Sequence, residues 1–271
     1  MTYKFSISHL TALGLPPPEL VYLAEKVGYN YVSLRTIKMG LPDEPDYRLE
    51  SNRELYKATK KALKETGIPL FDIELARIYD GCDVSSYEKA IAIGAELGSQ
   101  QLISSIWTSD ENFVKEQVHL LCEIAEPYGI NVNVEPVPIS QYKTITSVTE
   151  ILRSVTNENK GLLIDIHHFH RAHETIETLQ AIPKEWIHFI HLCDAQLEIP
   201  QTEEEMRRIL REERLFLGEG GIDVATILNH LPKVPLALEL PHKERLSELG
   251  YEQYVKACLE RAKAYVKKHC E

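Results

Sequence analysis

No stretch of this 271-residue chain approaches the roughly 18 consecutive apolar residues that a bilayer-spanning helix needs, so a helical membrane protein is not expected. The opening residues, MTYKFSISHL, lack a basic segment followed by a long apolar run, so no secretory leader is expected either. Cysteine is scarce. Cys82, Cys122, Cys193, Cys258 and Cys270 are odd in number, widely spaced and free of any Cys-x-x-Cys pair, which argues against a disulfide framework, a cysteine zinc site and a thiol redox motif. A reducing, cytoplasmic setting fits this usage. Positive charge is in deficit: 30 Lys and Arg face 41 Asp and Glu, and the formal charge of −11 repels phosphate backbones and anionic lipid over most of the surface. Neither nucleic acid nor a membrane is therefore an expected partner, although net charge does not exclude a local basic pocket for a small anion. No linker, charge block or low-complexity stretch divides the chain. With 44% hydrophobic residues it can bury one large core, so residues 1–271 are expected to form a single domain.

What is present is repetition. Short β-rich runs recur at 4–8, 31–34, 70–75, 101–106, 131–135, 162–166, 187–192 and 236–240, and between them apolar residues fall at i, i+3, i+4 and i+7. The first helix shows the signals: Pro16, Pro17 and Pro18 lead in, Leu20, Leu23, Ala24 and Val27 form the stripe, and Gly28 supplies the stop, a device repeated at Gly67, Gly98 and Gly129. Asp83 and Asp110 are expected caps, and Ser147 with Glu150 has capping-box spacing. Eight βα units predict an α/β fold, a (β/α)8 TIM barrel. The rival open sheet usually carries a Gly-rich phosphate loop after its first strand, and Ser8-His9-Leu10-Thr11-Ala12-Leu13-Gly14 offers none. Two connections, 35–51 and 194–221, are long enough to lie over a site, and the second is expected to hold an extra helix over 203–214.

In such a barrel the reacting groups sit at the C-terminal ends of the strands. Four runs end in ligand-type residues: Glu135, Asp165, His191 and Glu239. If these point inward, so do Asn133, Leu163, Phe189 and Ala237 one layer lower, while Val134, Ile164, Ile190 and Leu238 face the helices. All four outward residues are branched and apolar, as a sheet face covered by helices requires. Three carboxylates converging in a cavity repel one another unless a cation offsets them. Three oxygen donors and one imidazole suit a single divalent metal ion, Mn²⁺, Mg²⁺ or Co²⁺, with Zn²⁺ also open.

These anchors, Val134-Glu135-Pro136, Asp165-Ile-His-His168, His191-Leu-Cys-Asp194, Leu217-Gly-Glu-Gly220 with Ile222-Asp223, and Leu238-Glu239, resemble the sugar phosphate isomerase/epimerase superfamily and its xylose isomerase-like barrel over nearly the whole chain. That group includes ketose 3-epimerases, inosose dehydratases, 3-dehydroshikimate dehydratases and endonuclease IV. The resemblance implies that Glu135, Asp165, His191 and Glu239 hold the metal, that His168 is the histidine following the metal aspartate, and that Arg214 faces substrate. His167, His170 and His173 read as a solvated loop.

Arg35 ends the second strand, where its planar fork could bind a substrate hydroxyl, carboxylate or phosphate, with a loop acid such as Asp43 as the ordinary alternative partner. Glu74, Arg77, His9 and Trp107 also occupy strand ends, where they could shape a sugar pocket. The expected chemistry is a metal-dependent isomerase or epimerase of carbohydrate metabolism: proton transfer next to a carbonyl through a metal-stabilised enediolate, with Glu135 and Glu239 as the proton-moving pair. The alternative expels a β-hydroxyl, a dehydratase of an inosose or a 3-dehydroshikimate-like polyol in which His168 helps as an acid. An endonuclease IV-like reading lacks the extra histidines and the basic groove, and a non-catalytic binding barrel would not need the four ligand residues. The second strand lacks the glutamate many relatives place there. Pro241-His242-Lys243 stands where a Gly-rich phosphate loop would follow the last strand, which favours an unphosphorylated sugar or polyol. A homo-oligomer is compatible with the sequence.

Overall fold

Residues 2–41 and 44–270 are described by a computed structural model of the chain. The strands are β1 (Phe5–Ile7), β2 (Tyr31–Arg35), β3 (Leu70–Tyr79), β4 (Gln101–Trp107), β5 (Asn131–Glu135), β6 (Lys160–Leu162), β7 (Ile164–Asp165), β8 (Ile190–Leu192) and β9 (Leu236–Leu238). They run parallel in the order β6-β5-β4-β3-β2-β1-β9-β8-β7. β6 and β7 are two halves of one stave, interrupted at Leu163: the first half pairs with β5 and the second with β8. Because this stave bonds to both ends of the sheet, eight staves make the barrel.

The helices are α1 (Pro17–Val27), α2 (Arg53–Thr66), α3 (Glu88–Glu96), α4 (Glu111–Ala125), α5 (Ile145–Ser154), α6 (Ile166–Arg171), α7 (Ile176–Gln180), α8 (Glu203–Glu212), α9 (Val224–Asn229) and α10 (Lys243–His269). α8 is the helix expected in the long connection after the seventh run. Asp110 caps α4 by accepting the Phe113 N–H, and Asp83 caps the short 3-10 turn before α3. The capping box at α5 sits one turn earlier than expected: Thr144 is the cap and Ser147 its third helical residue, because Ile145 and Val148 are both buried and draw the helix start forward. α10 is broken at Gly250, whose φ of 72° lies in the left-handed region.

Two apolar layers follow from strand alternation. Ile103, Leu163, Phe189 and Ala237 fill the barrel interior together with Phe71 and Leu75, and Phe71 meets Phe189 edge-on at 5.2 Å. Val134, Ile164, Ile190 and Leu238 belong to the larger layer between sheet and helices. The packed interior plugs the lower barrel, so polar residues at the strand ends above it have one shared place to gather. No helix among the described residues is long and apolar enough to cross a membrane.

A candidate metal centre at the floor of a cavity

Glu135 closes β5, Asp165 closes β7, His191 is the middle residue of β8, and Glu239 follows β9 directly. The lateral register aligns Ile164 with Ile190 and Asp165 with His191, so the side chains converge by pairing rather than by loop placement. One potential ligand atom from each of the four residues lies within 4.8 Å of the others, and all four residues are buried. His191 Nδ1 stands 3.3 Å from Glu239 Oε2 and 3.4 Å from Glu135 Oε1. Asp165 Oδ1 accepts from the backbone N–H groups of His167, at 2.7 Å, and His168, at 3.3 Å, and so caps α6 while its other oxygen faces the centre. Ser8 donates to Glu239 Oε1 at 3.1 Å.

Arg214 is the buried counter-charge, 2.7 Å from Asp165 Oδ2 and 3.0 Å from Glu239 Oε2. Its Nε donates to the Leu210 carbonyl, which fixes the fork. Asp194 shapes the stretch that follows: its carboxylate accepts four N–H groups, from Ala195, Gly218, Gly220 and Ile222. A Cβ on Gly220 would fall 2.2 Å from the Ala195 carbonyl oxygen, which accounts for the glycine in the Leu217–Gly220 motif.

The donor set fits a divalent cation on two counts. Three carboxylates against one guanidinium leave two negative charges unbalanced in a buried site, and such a site cannot stay charged without compensation. Glu135 Oε1 and both ring nitrogens of His191 are buried and make no hydrogen bond. Without the ion, proton binding does the balancing. Burial works against a charged His191 ring, yet Glu239 and Glu135 outweigh it and hold its pKa well above the ordinary value. Burial likewise opposes ionised Glu239, but His191 and Arg214 hold its pKa well below the carboxylate range.

Above this floor opens a cavity of about 440 Å³, within the usual range for a small-molecule site. Glu135, His191, Glu239, His168, Arg214, Arg35, Glu74 and Trp107 all line it. His168 Nε2 is 3.6 Å from Asp165 Oδ2 and 3.9 Å from Glu135 Oε1. Arg35 pairs with Glu74 at 3.2 Å. Asp43, the alternative partner, lies outside the described residues. His9 stands apart: its Nδ1 accepts the Arg35 N–H and its Nε2 donates to the Leu15 carbonyl, so neither ring nitrogen is left for a ligand. It is buried under the cavity wall and stacks on Tyr47 at 5.3 Å, and burial drops its pKa to about 4. The solvated-loop reading of His167 is corrected too. His167 and His170 lie on α6, the first buried and the second half-buried, because Asp165 nucleates a helix at once instead of a loop, whereas His173 is exposed as expected.

Three contributors were missed. Asp72, two residues before Glu74 on β3, is a buried carboxyl bonded to the Ser33 hydroxyl, and burial first, then Glu74, raises its pKa to about 7. Its period-two spacing from Glu74 was the available signal. Ser8 and Arg211 carried none in sequence.

Residues 21–264 match the xylose isomerase-like TIM barrel family, and the chain belongs to it. It is 26% identical over 263 residues to an inosose isomerase of Bacillus velezensis, covering 91% of each chain, and 25% identical over 227 residues to an inosose isomerase of Bacillus subtilis, covering 78% of each. Among solved structures, the IOLI protein with a bound zinc atom superposes with a TM-score of 0.81 at 20% identity, covering 98% of this chain and 99% of that one. The D-allulose 3-epimerase from Methylomonas sp. in complex with D-allulose gives a TM-score of 0.70 at 17% identity, covering 98% and 97%.

Proposed function

We propose that the protein is a metal-dependent isomerase or epimerase of a small polyhydroxy ketone, and the observation that carries this reading is the buried convergence of Glu135, Asp165, His191 and Glu239 beneath the cavity. These four residues would hold one divalent ion, Mn²⁺, Mg²⁺, Co²⁺ or Zn²⁺. The zinc atom bound in the IOLI structure supports a metal ion in a barrel of this fold. Such an ion supplies an electrophile that acidifies the C–H next to a substrate carbonyl.

The chain's own part is proton movement. Glu135 and Glu239 enter from separate strands and both face the cavity, so one carboxylate takes the carbon-bound proton and the other returns a proton to the opposite side. No oxidant is consumed. Arg214 and His168 orient the reacting end, Arg35 and Glu74 bind hydroxyls as a pair, and Trp107 offers its ring to the carbon skeleton. His168 Nε2, aimed into the cavity, keeps a second reading open in which it protonates a leaving hydroxyl and the product is a dehydrated ketone. The formal charge of −11 supports a small-molecule partner over nucleic acid, and the buried thiols of Cys82, Cys122, Cys193 and Cys258 support a cytoplasmic setting.

The test is turnover of metal-loaded protein on ketohexoses and on 2-keto-inositol in deuterated water. Epimerisation or isomerisation exchanges a carbon-bound proton for deuterium, and dehydration yields an ultraviolet-absorbing enone. Glu135→Gln and Glu239→Gln should each lower kcat by about 10²- to 10⁴-fold. Full turnover in both variants with metal still bound would sink the two-carboxylate mechanism.

A further inference from the structure

Two arginines that line the cavity are paired with no carboxylate among the described residues. Arg77, near the C-terminal end of β3, and Arg211, on α8, both line it. Neither makes an ion pair or side-chain hydrogen bond to a carboxylate among the described residues, and Arg77 Nε is a buried donor with no acceptor at all. The acids that share the cavity are already engaged. Glu74 pairs with Arg35 and Glu239 with Arg214, Glu135 lies against His191, and Glu44 accepts three backbone N–H groups, from Met39, Gly40 and Leu41. Glu212 is left, exposed on the rim beside Arg211.

The Arg77 guanidinium is held in place. It lies over the Trp107 ring at 4.3 Å from its centroid, and Trp107 is fixed by donating from Nε1 to Ser105 Oγ at 2.8 Å. Arg211 follows Arg207 by one helical turn, and Arg207 is tied to Glu203. Burial lowers the pKa of both Arg77 and Arg211, and in Arg211 the neighbouring Arg207, Arg35 and Arg77 lower it further. Like charges gathered in a half-buried wall repel, and an anion between them relieves both the repulsion and the unmet donors.

We infer that the substrate carries an oxyanion, a carboxylate or a phosphate ester, which Arg77 and Arg211 grip while its carbonyl end faces Glu135 and Glu239. This deepens the reading above and rests on it for which end reacts. Planar guanidinium forks match such groups bidentately, whereas the hydroxyls of a neutral polyol accept their N–H groups but leave both positive charges unbalanced. The absence of a Gly-rich loop after the last strand does not oppose this, because the grip comes from the β3 and α8 side of the cavity. A neutral inosose is then not the preferred substrate of this chain.

Calorimetric titration of metal-loaded protein with fructose, fructose 6-phosphate and fructuronate, three compounds sharing one ketose skeleton, tests it. At least one anion should bind 10-fold or more tightly than fructose, and whichever does names the group. Arg77→Met and Arg211→Met should each weaken that anion by about 10- to 100-fold while shifting fructose by less than about twofold. Arg211 lies half-exposed on a surface helix, so its variant keeps the test open should Arg77→Met fold poorly. Failure of both anions to outbind fructose, or an anion preference unchanged in Arg211→Met, overturns the inference. Tight anion binding with no turnover of any sugar would instead break the isomerase reading and leave this one standing, while turnover of fructose without anion preference would do the reverse.

Discussion

Replacing Arg214 by Met keeps the apolar stem of a side chain that is 1% exposed and deletes the guanidinium that touches the carboxylates of Asp165 and Glu239. Asp165 and Glu239 are then left buried without it, and breaking a buried ion pair from one side costs about 3–5 kcal/mol. At about 2–4 °C per kcal/mol for a chain of this size, the variant should unfold about 6–20 °C below the parent in a chelator-containing buffer. A divalent ion at about 100 times its Kd adds about 2.7 kcal/mol to any folded state that binds it. Because it also restores charge that Arg214 no longer supplies, metal should raise the melting temperature of Arg214→Met more than that of the parent. The pH dependence has a definite sign. Glu239 is held below its ordinary pKa in the parent, so its stabilising contribution is present at neutral pH and lost as pH falls through that depressed value. The variant loses the Arg214 share of this contribution and keeps that of His191, so the gap between the two proteins should narrow on acidification. Thermal unfolding followed by circular dichroism, with chelator and with Mn²⁺ and at neutral and acidic pH, reads all three effects. An Arg214→Met melting temperature within a degree or two of the parent in chelator, or a deficit that metal leaves unchanged, would refute the charge-balance reasoning.

Other perturbations separate the remaining parts of the account. Asp72 has a folded pKa of about 7 against an unfolded value near 4, so it binds more protons folded than unfolded in that window, and its contribution to stability falls as pH rises from about 4 to 7. Asp72→Asn mimics the protonated acid and should be more stable than the parent at pH 8, by a few kcal/mol as an order of magnitude, with little difference at pH 4; denaturant unfolding at both pH values decides it. Asp194→Asn removes one of two carboxylate oxygens that together accept four N–H groups, so two of the four donors that tie the 217–222 turn to this side chain and its own loop are left unmet. A loss of about 2–4 kcal/mol and faster hydrogen exchange confined to that turn are expected, and unchanged exchange there would show that the carboxylate does not shape it.

Much of the barrel was legible because parallel strands covered on both faces leave near-continuous apolar runs, and the parity of Val134, Ile164, Ile190 and Leu238 locates the opposite, inward face. The break at Leu163 was not legible, since the run is uninterrupted in sequence and divides only where its pairing passes from β5 to β8. The four ligand-type residues stood out as polar ends of apolar runs. The role of His9 did not, because a histidine satisfied by the Leu15 carbonyl and the Arg35 N–H looks in sequence like one facing a ligand. Arg211 was equally hidden: its place on the cavity wall depends on how α8 docks, and its neighbours Arg207, Arg208 and Glu212 read as an ordinary charged helix.

The central claim is that Glu135, Asp165, His191 and Glu239 bind one divalent ion, and equilibrium dialysis of chelator-stripped protein against Mn²⁺ or Zn²⁺ with elemental analysis measures it directly. One ion per chain in the parent, falling to background in His191→Ala and Asp165→Asn proteins that remain folded by circular dichroism, is the predicted result. A parent that retains no ion, or variants that retain it undiminished, would contradict the account.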